Sequence, residues 1–272
     1  MSTNKSYGAV VALVTDVDDP DTLGRVKLRY PWLPTEETRS DWVPIVRPMA
    51  GKNRGFHFQP EVDDEAIVVF RHGDFNHPLI LGFLHNNVDL PPNNDIDVHV
   101  RRLRSVAGHT FELDDRDGKE SLRLRTHDGH QLEMRDPEAF VEIATVGGQK
   151  VRLQDDAARI VLTTSSGTTL TLDDSPSQIE LKTVAGVSIT ISDSGGVSVS
   201  APTGPVSVKS LTAEVQSSAS ATLKAPSMTL QGAMVTVDAA MATFSGVVNC
   251  QTLIANAGVV SPSYTPGAGN IW

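Results

Sequence analysis

Aromatic residues make up only 5% of this 272-residue chain, and cysteine is all but missing, Cys250 standing alone. A single cysteine excludes an intrachain disulfide framework. With so few aromatics, a core has to be built mainly from Val, Leu, Ile and Ala. No run of about 18 apolar residues exists, so nothing reads as a transmembrane helix. The N-terminus, MSTNKSYGAV, lacks a basic start followed by an apolar run. A secretory signal is therefore not expected, and synthesis in the cytoplasm is. A basic balance is missing too: the formal net charge is -10, and residues 1–100 carry 9 basic against 15 acidic side chains. That sign opposes phosphate binding, so no nucleic-acid partner is expected. Residues 141–243 contain no Trp, Tyr or Phe, which removes the platforms on which sugar rings stack.

What is present is alternation. Residues 1–86 hold both Trp residues other than Trp272 and read as a small β-barrel. Its expected strands are 7–14 (YGAVVALV), 25–30 (RVKLRY), 42–46 (WVPIV), 65–73 (EAIVVFRHG) and 78–85 (PLILGFLH). A proline- and asparagine-rich connector covers 87–107 and ends in the basic cluster VRRLRS. From 108 a repeat begins: GHTFELDD at 108, GHQLEMRD at 129, GQKVRLQD at 148, GTTLTLDD at 167 and GVSITISD at 186. Between these lie SLRLRT, FVEIAT, RIVLTT, QIELKT and GVSVSA, so each unit is strand, turn, strand, turn.

After Pro205 the repeat tightens to six to eight residues: VSV at 206, AEV at 213, ATL at 221, MTL at 228, VTV at 235, ATF at 242, VNC at 248. Charge drains away as it does. Residues 101–155 carry 21 charged side chains; residues 197–272 carry only Lys209, Glu214, Lys224 and Asp238. A single-chain solenoid needs roughly 18 residues to circle its own axis. A unit of about seven supplies one strand and one corner, so a closed cross-section needs strands from three chains. The pattern thus predicts an all-β protein: a barrel over 1–86, a connector over 87–107, an intertwined triple-stranded β-helix over 108–260 in a homotrimer, and a terminal cap over 261–272.

The barrel motifs resemble the OB-fold domain of phage baseplate assembly protein V and the VgrG-type spikes of type VI secretion. The resemblance rests on Gly8 to Val10; Asp19, Pro20, Gly24, Arg25 and Val26; and Pro31 with Trp32. It continues through Trp42, Ala50, Gly51 and Gly55; Phe58, Pro60, Glu61, Asp64 and Glu65; and Gly73, Asp74, Pro78 and Gly82. The GH-x-x-x-x-DD units are similar to the start of the needle of such spikes. The resemblance implies the central spike of a contractile injection system, which caps the tube and pierces the target membrane. It implies a separate trimeric hub protein at the OB end and a PAAR-type tip protein at the C-terminus, bound around Tyr264, Ile271 and Trp272. A hub domain ahead of Met1 is not expected, nor a lysozyme in the joint, nor a His-x-His iron site after residue 130. The particle expected is a baseplate or virion-like assembly.

Chemistry other than assembly has few candidates. His57, His72, His77 and His85 match no zinc spacing, and HDGH at 127–130 falls where every unit places a turn. The DD pairs at 114, 155 and 173 could in principle act as acid and base on a glycoside. Their recurrence in unit after unit marks them instead as turn residues. VRRLRS is expected to pair with acids, and Cys250 to pack. No catalytic residue, cofactor or metal is assigned. The alternatives are a polysaccharide-degrading tailspike and a nucleic-acid-binding OB protein.

Overall fold

A computed structural model of the chain describes residues 5–34, 39–92 and 97–258. The first barrel sheet has the order β2-β1-β5-β6, all antiparallel. Its strands are β1 (Val10–Asp16), β2 (Lys27–Arg29), β5 (Glu65–Phe70) and β6 (Pro78–Leu84); β3 (Ala50–Gly51) and β4 (Arg54–Gly55) form a separate small hairpin. The expected strand at 42–46 is not a regular strand, because Pro44 has no N–H to donate to a ladder. It closes the barrel through single bridges instead. Val26 and Val43 exchange backbone bonds of 3.1 and 2.8 Å, while Val46 N–H donates to Ile80 O (2.8 Å) and Ile80 N–H to Pro44 O (3.1 Å). The inward residues follow period two: Ala12 and Val14; Val26, Leu28 and Tyr30; Ala66, Val68 and Phe70.

Most of the barrel motif residues explain themselves as turn builders. Asp19 accepts N–H bonds from Asp21, Leu23 and Arg25 and holds the Arg25 guanidinium at 2.7 and 2.9 Å. The Arg25 bond pulls its carboxyl well below the usual range. Gly24 is needed here because its φ is +70° and a Cβ would meet His57 at 3.0 Å. Asp64 accepts the Glu61 N–H (2.9 Å) and sets the turn into β5. Asp74 accepts the Asn76 N–H (3.0 Å) and bonds His77 Nδ1 (2.9 Å), shaping the turn into β6.

The second sheet is an eleven-stranded antiparallel meander in simple chain order. Its strands are β7 (Val100–Arg104), β8 (Thr110–Asp114), β9 (Ser121–Arg125), β10 (Gln131–Arg135), β11 (Phe140–Ala144), β12 (Lys150–Gln154), β13 (Arg159–Thr163), β14 (Thr169–Asp173), β15 (Gln178–Lys182), β16 (Ser188–Ser192) and β17 (Gly196–Ser200). The register carries the sheet back to Val100, inside the stretch expected to be connector: Arg102 faces Glu112 and Leu103 faces Phe111.

Two kinds of turn alternate. At one edge, Ser105, Thr126, Thr145, Thr164 and Thr183 each accept, through the side-chain oxygen, the N–H of the residue four further on, at 3.0–3.2 Å. The residue before that donor is always glycine with φ between +82° and +101°, which accounts for the GH, GQ, GT and GV starts of the repeat. At the other edge sit the acidic turns, whose fourth residue also has positive φ: Gly118, Ala139, Ala158, Ser177 and Gly196. Asp114 and Asp173 accept the N–H two residues on, at 3.1 and 3.2 Å, as expected of turn-forming aspartates.

Candidate functional site

Each meander strand is five residues long and paired without slip to its neighbours, so positions one, three and five share one face and positions two and four the other. The first face carries a charged ladder. Arg102 bonds Glu112, Arg123 bridges Glu112 (3.5 Å) and Glu133 (2.6 Å), and Arg152 approaches Glu142 (3.6 Å). Glu133 and Glu142 are buried under these long side chains. Arg152 also lies 3.8 Å from the centre of the Phe140 ring. The ladder ends at β12; the next three central residues are Val161, Thr171 and Glu180.

The second face is apolar and uncovered. Two columns run along it, Phe111, Leu124, Leu132, Ile143, Val151, Leu162, Leu170 and Leu181 in one, with Leu122, Met134, Leu153, Ile160, Leu172 and Ile179 in the other. In one chain Ile143 is 53% exposed and Leu162 39%. A continuous apolar face of this extent is not a stable surface for an isolated molecule.

The segment after Ser200 goes further. Among the described residues no strand forms beyond β17, and no backbone-to-backbone hydrogen bond is made from Ala201 to Gly258. The strands expected at 206, 213, 221, 228, 235, 242 and 248 are therefore not formed within one chain. The physical reason is the absence of a partner strand: nothing in the segment returns to pair with it. Its apolar side chains stand in the open, from Met228 at 50% to Leu211 at 104% exposure. Backbone donors and acceptors must be paired somewhere.

Other expected sites resolve as follows. Tyr264, Ile271 and Trp272 lie outside the described residues. The four barrel histidines do not converge; His77 pairs with Asp74 and His72 sits in the 3-10 turn Arg71–Gly73 with φ +55°. HDGH forms the turn Thr126–His130, with Gly129 at φ +101°. No cluster of three His, Cys, Asp or Glu suited to a metal occurs among the described residues. In the basic cluster, Arg101 pairs with Asp115 and Arg102 with Glu112, both across the next strand. Cys250 is exposed in the single chain rather than packed.

Sequence reading missed the ladder, although its signal was legible as one charged residue at the centre of each of six successive strands. It also missed the barrel's aromatic cluster, where the Tyr30 and Phe75 rings lie 5.1 Å apart and those of Phe70 and Phe75 4.8 Å. Burial pushes the Tyr30 phenol up to about 12. A cleft of about 340 Å³ opens beside it, lined by Trp42, Arg71 and His77 among others.

Residues 10–85 match the family model of the type VI secretion system/phage-baseplate injector OB domain. The chain is 32% identical over 114 residues to the actin cross-linking toxin VgrG1 of Vibrio cholerae, a match covering 38% of this chain and 10% of that protein. It is 30% identical over 112 residues to the type VI secretion system spike protein VgrG3 of Vibrio cholerae, covering 40% and 9%. To the spike protein VgrG1b of Pseudomonas aeruginosa it is 29% identical over 128 residues, covering 42% and 17%. The matched stretch is thus a small part of each relative's length. The resemblance to baseplate protein V and VgrG-type spikes, read from the barrel motifs, holds in both comparisons.

Proposed function

We propose that the chain is the structural spike of a contractile injection apparatus, of phage-tail or type VI secretion kind, acting as a homotrimer. One observation carries this reading. A single copy leaves an apolar sheet face uncovered and the backbone from Ala201 to Gly258 unpaired, while its barrel and meander ladders are complete. Three copies cover both defects at once. In the meander, each copy supplies one sheet whose apolar face turns to a common axis. After Ser200, each short strand pairs with strands of the other two copies, which leaves no lateral edge. A fully buried Val, Leu or Ile contributes roughly 1.5–3 kcal/mol. Assembly therefore recovers a large stabilisation that the monomer forgoes, and folding and association become one event.

The role is mechanical and not enzymatic. Sheath contraction drives the tube, and the assembled strands concentrate the force on a small area of membrane. The OB barrel faces a separate trimeric hub protein, and the stacked, half-exposed Phe56 and Phe58 (ring centres 6.4 Å apart) are the barrel surface best suited to it. A PAAR-type tip protein takes the C-terminal end. The product leaves the cytoplasm as part of a baseplate-bearing particle.

The test is the mass of the purified full-length chain by light scattering, before and after detergent treatment. A species near three times 29.2 kDa that persists in detergent is the expected result. A well-folded monomer in dilute solution overturns the reading.

A further inference from the structure

The two turn edges of the meander differ in charge. The column closing the strands at the Ser/Thr-turn edge holds Arg104, Arg125, Lys150 and Lys182 and no acid; the register places Thr, Gln, Ala and Ser between them. Among the described residues Arg104, Arg125 and Lys182 make no ion pair, and Lys150 reaches Glu142 only at 4.0 Å. At the opposite edge, whose column holds Arg135 and Arg159, the turns expose Asp136, Asp155, Asp156 and Asp174, and none of these four pairs with a cation of its own chain among the described residues, while Asp128 is the one acid in the Ser/Thr turns. The basic edge has a second peculiarity. Its turn tips present Val106, Val146 and Val184 at the same turn position, exposed at 82%, 65% and 68%. Water-facing valine at a turn tip is an unfavourable choice unless something covers it.

A threefold arrangement explains both features. This step rests on the trimer proposed above. If three sheets turn their apolar faces to one axis parallel to the direction in which strands stack, the basic edge of each copy meets the acidic edge of the next. Such a contact is heterologous, and rotation by a third of a turn closes it. The rotation also keeps every strand at its own height. Lys150 in β12 then lies level with the turn that leaves β12 and carries Asp155 and Asp156. Lys182 in β15 lies level with the turn that enters β15 and carries Asp174. Neighbouring strands are only about 4.8 Å apart, so a lysine side chain tolerates an offset of one strand.

We propose that the meander's two edges are complementary halves of a contact between copies, with Lys150 and Lys182 of one copy paired to Asp155, Asp156 and Asp174 of the next, and the valine turn tips packed in the seam. The pairing sets the neighbour's height and its direction round the axis, which two featureless apolar columns do not specify.

Full-length protein carrying Lys150→Glu and Lys182→Glu is expected to leave the trimer at least about tenfold faster at low salt, since six attractive pairs per trimer become six repulsions. Adding Asp155→Lys and Asp174→Lys in the same chain is expected to restore most of the lost lifetime. The two edges of one chain are separated by a five-residue strand of about 17 Å, so rescue reports contact between copies. An unchanged lifetime in the double variant, or a quadruple variant no better than the double, overturns the proposal. If the double variant fails to fold, disulfide trapping decides: Ser166→Cys with Ser175→Cys, in a Cys250→Ser background, should give covalent trimer that neither cysteine gives alone. Absence of that product counts against the seam. A wild-type chain that is monomeric fails the trimer reading itself, which is a distinguishable outcome.

Discussion

The meander and the stretch 201–258 that follows it share one pattern, apolar residues alternating with small polar ones, yet a single chain completes the backbone ladder of the first and forms none in the second. The difference lies in the turns. Every meander strand before β17 ends in a device that reverses the chain: a Ser or Thr side chain capping a glycine turn at one edge, an acidic turn with a positive-φ residue at the other. Between Ala201 and Gly258 the alternating triplets recur every six to eight residues, too closely for a five-residue strand with such a turn, and none of them forms a strand in one chain. Completeness within one chain is thus graded along the molecule. The barrel buries its own core, the meander lacks only a cover for one face, and the last segment lacks even backbone partners.

The sharpest way to break this comparison is to place a carboxylate at an apolar position of each region. Leu162→Asp in the meander and Val237→Asp in the last segment are both expected to abolish the proposed trimer, because an uncompensated polar group removed from water costs about 2–7 kcal/mol and each chain of the trimer would carry one. The barrel should persist in both, since its core is its own. Light scattering reads the first effect, and fluorescence of Trp32 and Trp42 in a Trp272→Phe background reads the second. A Val237→Asp chain that stays trimeric would show that the meander holds the copies together unaided.

Fold class was legible because period-two alternation is a local property, and the repeat made it audible five times over. The expectation of three chains rests on unit length alone, one strand and one corner per seven residues. VRRLRS reads as connector because Arg101 stands where later strands have an apolar residue; only pairing with FELD on β8 makes it a strand. Likewise WVPIV read as a strand from its β-branched residues, whereas Pro44 restricts it to bridges. The ladder escaped notice because Arg102, Glu112 and Arg123 are ten and eleven residues apart, a spacing that carries no meaning until the register is known. The two unlike edges were not legible either, since turn residues look alike as loop composition.

A smaller effect separates the charged half of the meander from everything after it. Replacing Arg123 by Gln strands two carboxylates, Glu112 and Glu133, each with one partner fewer. Arg102 still serves Glu112, and Arg123 is about one-third exposed, so the cost should be about 1 kcal/mol per chain. Thermal dissociation should begin earlier, and the difference from wild type should shrink as salt rises. Thr171→Ala, at the same face and column beyond the ladder, should be close to neutral and insensitive to salt.

Acid should distinguish the regions most gently of all. The Arg116 guanidinium holds the Asp114 carboxyl at about 2, below its ordinary 3.8. A carboxyl whose value is lowered by folding gives a stabilisation that is complete above its unfolded value and disappears as pH falls through the folded one. For Asp114 that window runs from about 3.8 down to about 2. In the barrel, Asp19 and Asp74 are lowered as well, by the Arg25 guanidinium and by the Asn76 N–H with His77. Between Ala201 and Gly258 the only acids are Glu214 and Asp238. Acid should therefore loosen the barrel and the first meander strands while the proposed interchain pairing after Ser200 persists. Titration from pH 5 to pH 2, with hydrogen exchange read segment by segment, should show protection lost first around Asp19 and Asp114. Asp114→Asn should flatten the response in β7–β9 alone. Uniform loss along the chain would mean that the graded dependence on neighbouring copies is not what acid senses, and that the regions melt as one body.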